Sequence, residues 1–174
     1  EAAVARGCQF VRDEVSGVEV GPPVRVVRRG GAALEADAAV VAGGAWSRPL
    51  AAGLGDAIPL DTERGYNVSF PDAVGLLTRP VAFPGHGFVA TPMETGLRIG
   101  GAVELGGLEL PPNHERSRAL HAKATRFLRG CPPYETGTKW MGFRPSIPDS
   151  LPVIGTARAS DRVVYAFGHG HYGL

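Results

Sequence analysis

Arg162-Val-Val-Tyr-Ala-Phe-Gly-His-Gly-His-Tyr-Gly-Leu174 is the stretch on which the fold turns. Val163 to Phe167 reads as a buried strand, short, apolar and closed by glycine. It delivers the backbone into Gly168-His169-Gly170-His171-Tyr172-Gly173, which has the G-x-G-x-x-G spacing of a dinucleotide-binding turn. Glycines there let the backbone approach a ligand closely, and a following helix would aim N–H groups at negative charge. The usual fingerprint sits at the start of a unit, with a helix, a strand and an acidic residue about 20 positions later. None of these follows Leu174, and the chain holds 25 glycines. The motif is therefore either accidental or a cofactor contact made where a chain returns to a nucleotide domain at its end.

Upstream, Ala38-Ala-Val-Val-Ala42 is a second short apolar run bounded by glycine, hence a second buried strand. Gly43-Gly44 supplies a tight turn, and Trp46 to Leu54 a short helix. An ordinary strand–turn–helix junction looks the same as a strand end across which a cofactor lies. Before it, Gln9-Phe-Val11 reads as a short strand and Glu14 to Val20 as a β segment broken by Gly21-Pro-Pro23. Val24 to Val27 alternates weakly, and Gly30-Gly31 is a hairpin-type turn.

From Arg64 the texture changes. Arg64 to Phe70, Gly87 to Thr91 and Leu97 to Glu104 are strand-like, with Met93-Glu-Thr-Gly96 as a hairpin turn between the last two. One helix is expected from Asn113, as N-cap, to about Arg129. Its apolar face is Leu120, Ala124, Phe127 and Leu128, with Arg116, Arg118, Lys123 and Arg126 opposite. His114 and His121 are expected on its solvated side. Thr136 to Phe143 returns as a strand, and Pro145 to Pro152 is a proline-stiffened loop.

Composition excludes several classes. The net charge of +1 is spread over well-mixed signs, which argues against nucleic acid as a partner. No apolar run approaches the roughly 18 residues that span a bilayer. Cys8 and Cys131 suit a reducing compartment better than a disulfide scaffold. No secretory leader is visible, Glu1 opens a helix remnant, and both ends read as cut.

Few side chains offer chemistry. Arg144 ends a strand just before Pro145, and a guanidinium there needs a partner. Its planar fork suits a carboxylate, though a structural ion pair to Asp149 is as good an account. Arg64, beside Gly65, stands under the same two readings. His169 and His171 lack a third ligand at metal-site spacing, so no metal is expected. Ser47, Ser146 and Ser150 lack a nucleophile elbow. Cys8 and Cys131 read as inert.

Four stretches in order carry a resemblance: Ala38-Ala-Val-Val-Ala-Gly-Gly-Ala-Trp-Ser47, Leu60-Asp-Thr-Glu-Arg-Gly-Tyr66, Met141-Gly-Phe-Arg-Pro-Ser-Ile-Pro-Asp-Ser-Leu-Pro-Val-Ile-Gly155, and Phe167-Gly-His-Gly-His-Tyr-Gly-Leu174. Together the chain resembles the FAD-dependent D-amino-acid dehydrogenases, within the group of D-amino-acid, glycine and sarcosine oxidases. The resemblance implies an α+β chain: a large, mostly antiparallel substrate-domain sheet with a helix, flanked by parts of an α/β FAD-binding domain. By this mapping residues 1–63 and 146–174 are FAD-domain pieces and 64–145 the substrate domain.

It further implies FAD as cofactor and an amino acid as small-molecule substrate. Val15 matches a backbone position at the adenine. Gly43 and Gly44 match the strand end beside the cofactor. Gly168, His169, Gly170, His171, Tyr172, Gly173 and Leu174 match the turn against the flavin ring. Arg144 matches the arginine that holds the substrate carboxylate, and Tyr66 a wall of that pocket. No residue is expected to act as an acid or base in catalysis. The resemblance places the protein in the cytoplasm, with peripheral inner-membrane contact through a quinone-linked acceptor as an option. The family's own N-terminal phosphate-binding turn and C-terminal helix lie outside these 174 residues. The chain alone is thus expected to bind FAD weakly or not at all and to be inactive. The competing class is a non-catalytic binding or interaction domain that retains the substrate fold.

Overall fold

A computed structural model describes residues 2–172. The chain divides into two compact units, one of Glu1–Leu60 with Leu151–Gly168, the other of Asp61–Ser150 with the described residues from His169 on.

The first unit opens with three short strands, β1 (Val15–Glu19), β2 (Val24–Arg28) and β3 (Leu34–Ala36), in an antiparallel sheet of order β1-β2-β3. Gly30, at φ 78°, makes the β2–β3 turn that Gly30-Gly31 announces. β4 (Ala39–Val41) follows, then a 3-10 turn at Gly44–Trp46 that runs into α1 (Ser47–Gly53). Gln9-Phe-Val11, expected as a strand, is irregular, and Phe10 is 85% exposed. Three residues form a strand only where a neighbour pairs them, and the ladder here begins at Val15.

The second unit contains β5 (Asp61–Phe70), β6 (Val81–Phe83), β7 (Phe88–Met93), β8 (Gly96–Leu105), α2 (Glu115–Ala124) and β9 (Thr138–Ser146). Its strands form one antiparallel sheet of order β6-β7-β8-β5-β9. Strand alternation separates its two faces. Val68 and Phe70 of β5, with Leu97, Ile99, Phe88 and Ala90, form a core closed by Leu120 and Ala124 of α2 and by Leu128 and Tyr134. The chain then returns through β10 (Val153–Ala157) and β11 (Ser160–Phe167) to the first unit, where β11 lies between β10 and β4. β11 pairs β4 in parallel, Val163 beside Ala39 and Tyr165 beside Val41. Both short apolar runs are therefore strands of one sheet.

The helix differs from expectation. It ends at Ala124 rather than near Arg129. Thr125 Oγ1 bonds the Ala122 carbonyl at 3.0 Å, a local competitor of the helical ladder. Phe127, assigned to the apolar face, is 43% exposed. His114, not Asn113, occupies the N-cap position, while Asn113 Oδ1 accepts from the Glu115 amide at 3.3 Å. His121 is buried rather than solvated. It shares the face of Ser117 and Ala124, tilts against Phe70 and Tyr134, and its Nε2 lies 2.7 Å from the Pro132 carbonyl.

Candidate functional site

In the first unit the parallel pair β4 and β11 presents two carboxyl ends. β4 runs out into Gly43 and Gly44, with Gly44 at φ 56°, and β11 runs out into Gly168 at φ 81°. A Cβ at Gly44 would meet nothing within 4 Å, so this strand end is bare and open. Carboxyl ends of parallel strands are where open α/β sheets take ligands, and glycines allow a flat ring or a phosphate to come close. These residues fit a dinucleotide cofactor. Val15 opens β1, half exposed, with its backbone paired to Arg28.

In the second unit, the sheet face away from α2 carries the candidate site. β9 pairs β5 so that Arg144 stands opposite Glu63, and Gly142 opposite Gly65. Residues of equal parity along β5 share a face, so Glu63, Gly65, Asn67 and Ser69 stand with Trp140, Gly142 and Arg144. The Arg144 guanidinium lies over bare Gly65: a Cβ there would fall 2.5 Å from both its Cζ and its Nη1. The Trp140 ring covers Gly142 in the same way. Of these, Gly65, Asn67, Trp140 and Arg144 line an open cavity of about 340 Å³, bordered further by Tyr66, Thr91, Arg98 and Val103.

Two residues that line this cavity each hold a buried polar atom without a partner, Arg144 Nη1, a donor, and Asn67 Oδ1, an acceptor. Buried polar atoms are normally bonded, so an unpaired donor beside an unpaired acceptor is suited to a ligand that carries both complements. Gly65, beneath the Arg144 guanidinium, and Asn67 are two residues apart on β5, a rise of about 7 Å. The turn from His169 closes one side. Its Gly170 amide donates to the Pro145 carbonyl at 2.7 Å, and His171 Nδ1 lies 3.4 Å from Glu63 Oε2. His171 thereby borders both the arginine cavity and a smaller polar pocket with Ser146 and Tyr172. Gly173 and Leu174, expected in the flavin turn, lie outside the described residues.

Tyr66 borders this cavity, but its ring does not face into it. Strand parity turns its ring to the opposite face, where it is 1% exposed. Its hydroxyl donates to Glu104 Oε2 and accepts from the Asn113 amide at 3.1 Å. Desolvation, then the hydrogen bond to Glu104, raises the Tyr66 hydroxyl above its ordinary range. The same bond, helped by Arg116 and Arg64, outweighs desolvation and lowers the Glu104 carboxyl. Arg64 is equally structural, 1% exposed, 3.2 Å from Glu104 and bonded to the carbonyls of Leu110 and Pro111. Sequence reasoning overlooked Gly65, Asn67, Arg98 and Trp140. The alternation of β5 carries the signal, because Tyr66 shares parity with apolar Val68 and Phe70.

Over residues 1–174 the chain matches the DAO family, described as FAD dependent oxidoreductase. The chain belongs to this FAD-dependent family. It is 40% identical over 184 residues to a D-amino-acid oxidase of Bradyrhizobium diazoefficiens, covering 99% of this chain and 42% of that protein. It is 31% identical over 169 residues to a D-amino acid dehydrogenase of Xylella fastidiosa strain M12, covering 96% of this chain and 38% of that protein. Among solved structures, glycine oxidase from Geobacillus kaustophilus superposes with a TM-score of 0.83 at 24% identity, over 99% of this chain and 47% of that one. That likeness establishes the fold. The chain spans about two fifths of the length of the curated relatives it matches. The antiparallel sheet with its helix, and the flanking strands, are thus parts of a family flavoprotein fold, as the α+β expectation holds. Among the described residues no helix is long and apolar enough to cross a membrane.

Proposed function

We propose that this chain is the substrate-holding part of an enzyme that deaminates D-amino acids oxidatively with FAD. The observation that carries the reading is the pair of unsatisfied buried atoms, Arg144 Nη1 and Asn67 Oδ1, on one face of the sheet. An amino acid brings both complements, a carboxylate for the guanidinium and an ammonium for the amide oxygen. Bound FAD supplies the two-electron acceptor that converts the amine to an imine, which water hydrolyses to a 2-oxo acid and ammonia.

The chain's own residues bind and orient. Arg144 grips the carboxylate with a charge-assisted, two-pronged contact. Asn67 holds the nitrogen, and the Trp140 indole covers the sheet beside them and sheds water. Positioning of this kind replaces a dedicated general base as the main source of acceleration. Gly43, Gly44 and Gly168 at the strand ends, with the Val15 backbone at the adenine, are the residues we assign to the cofactor. His169, Gly170, His171 and Tyr172, together with Gly173 and Leu174, are assigned to the flavin-facing turn. Re-oxidation by a quinone, with peripheral contact at the inner membrane of a cytoplasmic enzyme, completes the proposal.

The test uses the full-length protein containing this chain, loaded with FAD. Anaerobic bleaching of the flavin by D-amino acids, with stoichiometric 2-oxo acid and ammonia, is expected. Bleaching by L-amino acids alone, or by neither enantiomer, would overturn the reading. Reduction of a soluble quinone analogue without hydrogen peroxide supports the quinone acceptor, and peroxide release would replace it with oxygen.

A further inference from the structure

The cavity over the sheet holds a second guanidinium at its far end. Arg98, on β8, stands opposite Ser69 of β5 and borders the same cavity as Arg144. Its Nε donates to Ser69 Oγ at 3.1 Å, and it has no other hydrogen bond or ion pair among the described residues. The described residues lining the cavity include no carboxylate. A concavity with two arginines and no acid selects ligands of double negative charge.

The spacing sets the ligand's length. Arg144 lies over Gly65 and Arg98 is bonded at Ser69, four residues apart along one strand, or about 13 Å. A side-on guanidinium–carboxylate pair takes up roughly 4 Å from carbon to carbon. Two such pairs leave about 5 Å between the two carboxylate carbons. An extended five-carbon dicarboxylate, with C–C bonds of about 1.52 Å, spans that distance. Asn67 lies between the two arginines, where the amino group of such a molecule would sit.

Resting on the proposed oxidation of D-amino acids, we infer that the preferred substrate is an acidic D-amino acid of glutamate length. Arg144 takes the α-carboxylate and Arg98 the side-chain carboxylate. A polar contact of this kind discriminates because the uncharged analogue leaves the guanidinium without its partner.

The experiment compares D-glutamate with D-glutamine on the full-length, FAD-loaded protein. The wild type is expected to favour D-glutamate at least tenfold in kcat/KM. Arg98→Gln should bring that ratio to about one, and Arg98→Glu below one. Each ratio is taken within one preparation, so loss of folded protein cancels. A wild-type ratio of one, or a ratio unchanged by Arg98→Gln, overturns the inference while D-amino-acid oxidation stands. Calorimetric binding of glutarate against its monoamide gives a readout independent of turnover. At least tenfold preference for glutarate, lost in Arg98→Gln, supports the two-arginine site even if no D-amino acid is oxidised, an outcome that would sink the oxidase reading alone. Equal binding of the two acids would remove Arg98 from the site.

Discussion

Replacing Gly65 with alanine isolates the positioning of Arg144 from its presence. The added Cβ would fall 2.5 Å from the Arg144 Cζ and Nη1, where ordinary contact begins near 3.4 Å. The guanidinium must therefore retreat by about 1 Å, and a displacement of that size costs up to roughly a hundredfold in rate. The fold should not suffer. Gly65 lies in extended backbone within β5, and the group that must move is the far end of a flexible side chain. Alanine is also better than glycine in a strand interior by about 0.5–1 kcal/mol. The expected outcome is kcat/KM for a D-amino acid reduced about ten- to a hundredfold, with Tm unchanged or slightly raised. Stopped-flow flavin reduction on the full-length holoenzyme measures the first, and a thermal melt of the same preparation the second. Unaltered kinetics would refute the placement of the substrate carboxylate over Gly65. A large fall in Tm would show that the glycine serves packing instead.

Arg144→Lys keeps the charge but loses the planar fork, so kcat/KM should fall about ten- to a hundredfold, the equivalent of roughly 1.5–3 kcal/mol for one charge-assisted bond. Stability lost with kinetics preserved would instead return Arg144 to a structural role. Tyr66→Phe should leave the Glu104 carboxylate and the Asn113 amide short of a partner and cost about 1–3 kcal/mol in denaturant melts. Its substrate kinetics should be unchanged, because the hydroxyl faces α2 and not the cavity. Glu104 and Asp56 both have lowered folded-state pKa values, chiefly through the hydrogen bond from Tyr66 and the bond from the Arg158 amide respectively. Their contribution to stability is present above the ordinary values of 4.5 and 3.8 and is lost as pH falls through the folded ones. Tm should therefore drop on acidification below those values, and Glu104→Gln should flatten part of the drop. A parallel decline in wild type and variant would remove Glu104 from the account.

The sequence by itself determined the local elements and the glycines that end them. The short apolar runs at Ala38 and Val163 announced strands, and Gly43-Gly44 and Gly168 announced turns. The alternation from Arg64 to Phe70 announced β5. These are readable because burial imposes a period of two on neighbouring residues, and positive φ selects glycine. Arg144 was legible as a strand-end cation needing a partner. The same alternation carried the burial of the Tyr66 ring, which shares parity with Val68 and Phe70. Only the tertiary structure decided the register of β9 on β5. That pairing joins residues some eighty positions apart, and a slip of one would send Arg144 to the helix side. It put Gly65 beneath the guanidinium and Asn67 on the same face, while the separate pairing of β8 on β5 put Arg98 opposite Ser69. It also decided the burial of His121, whose partner carbonyl at Pro132 lies on a separate loop. Local pattern names which residues want company, while long-range pairing decides whose company they keep.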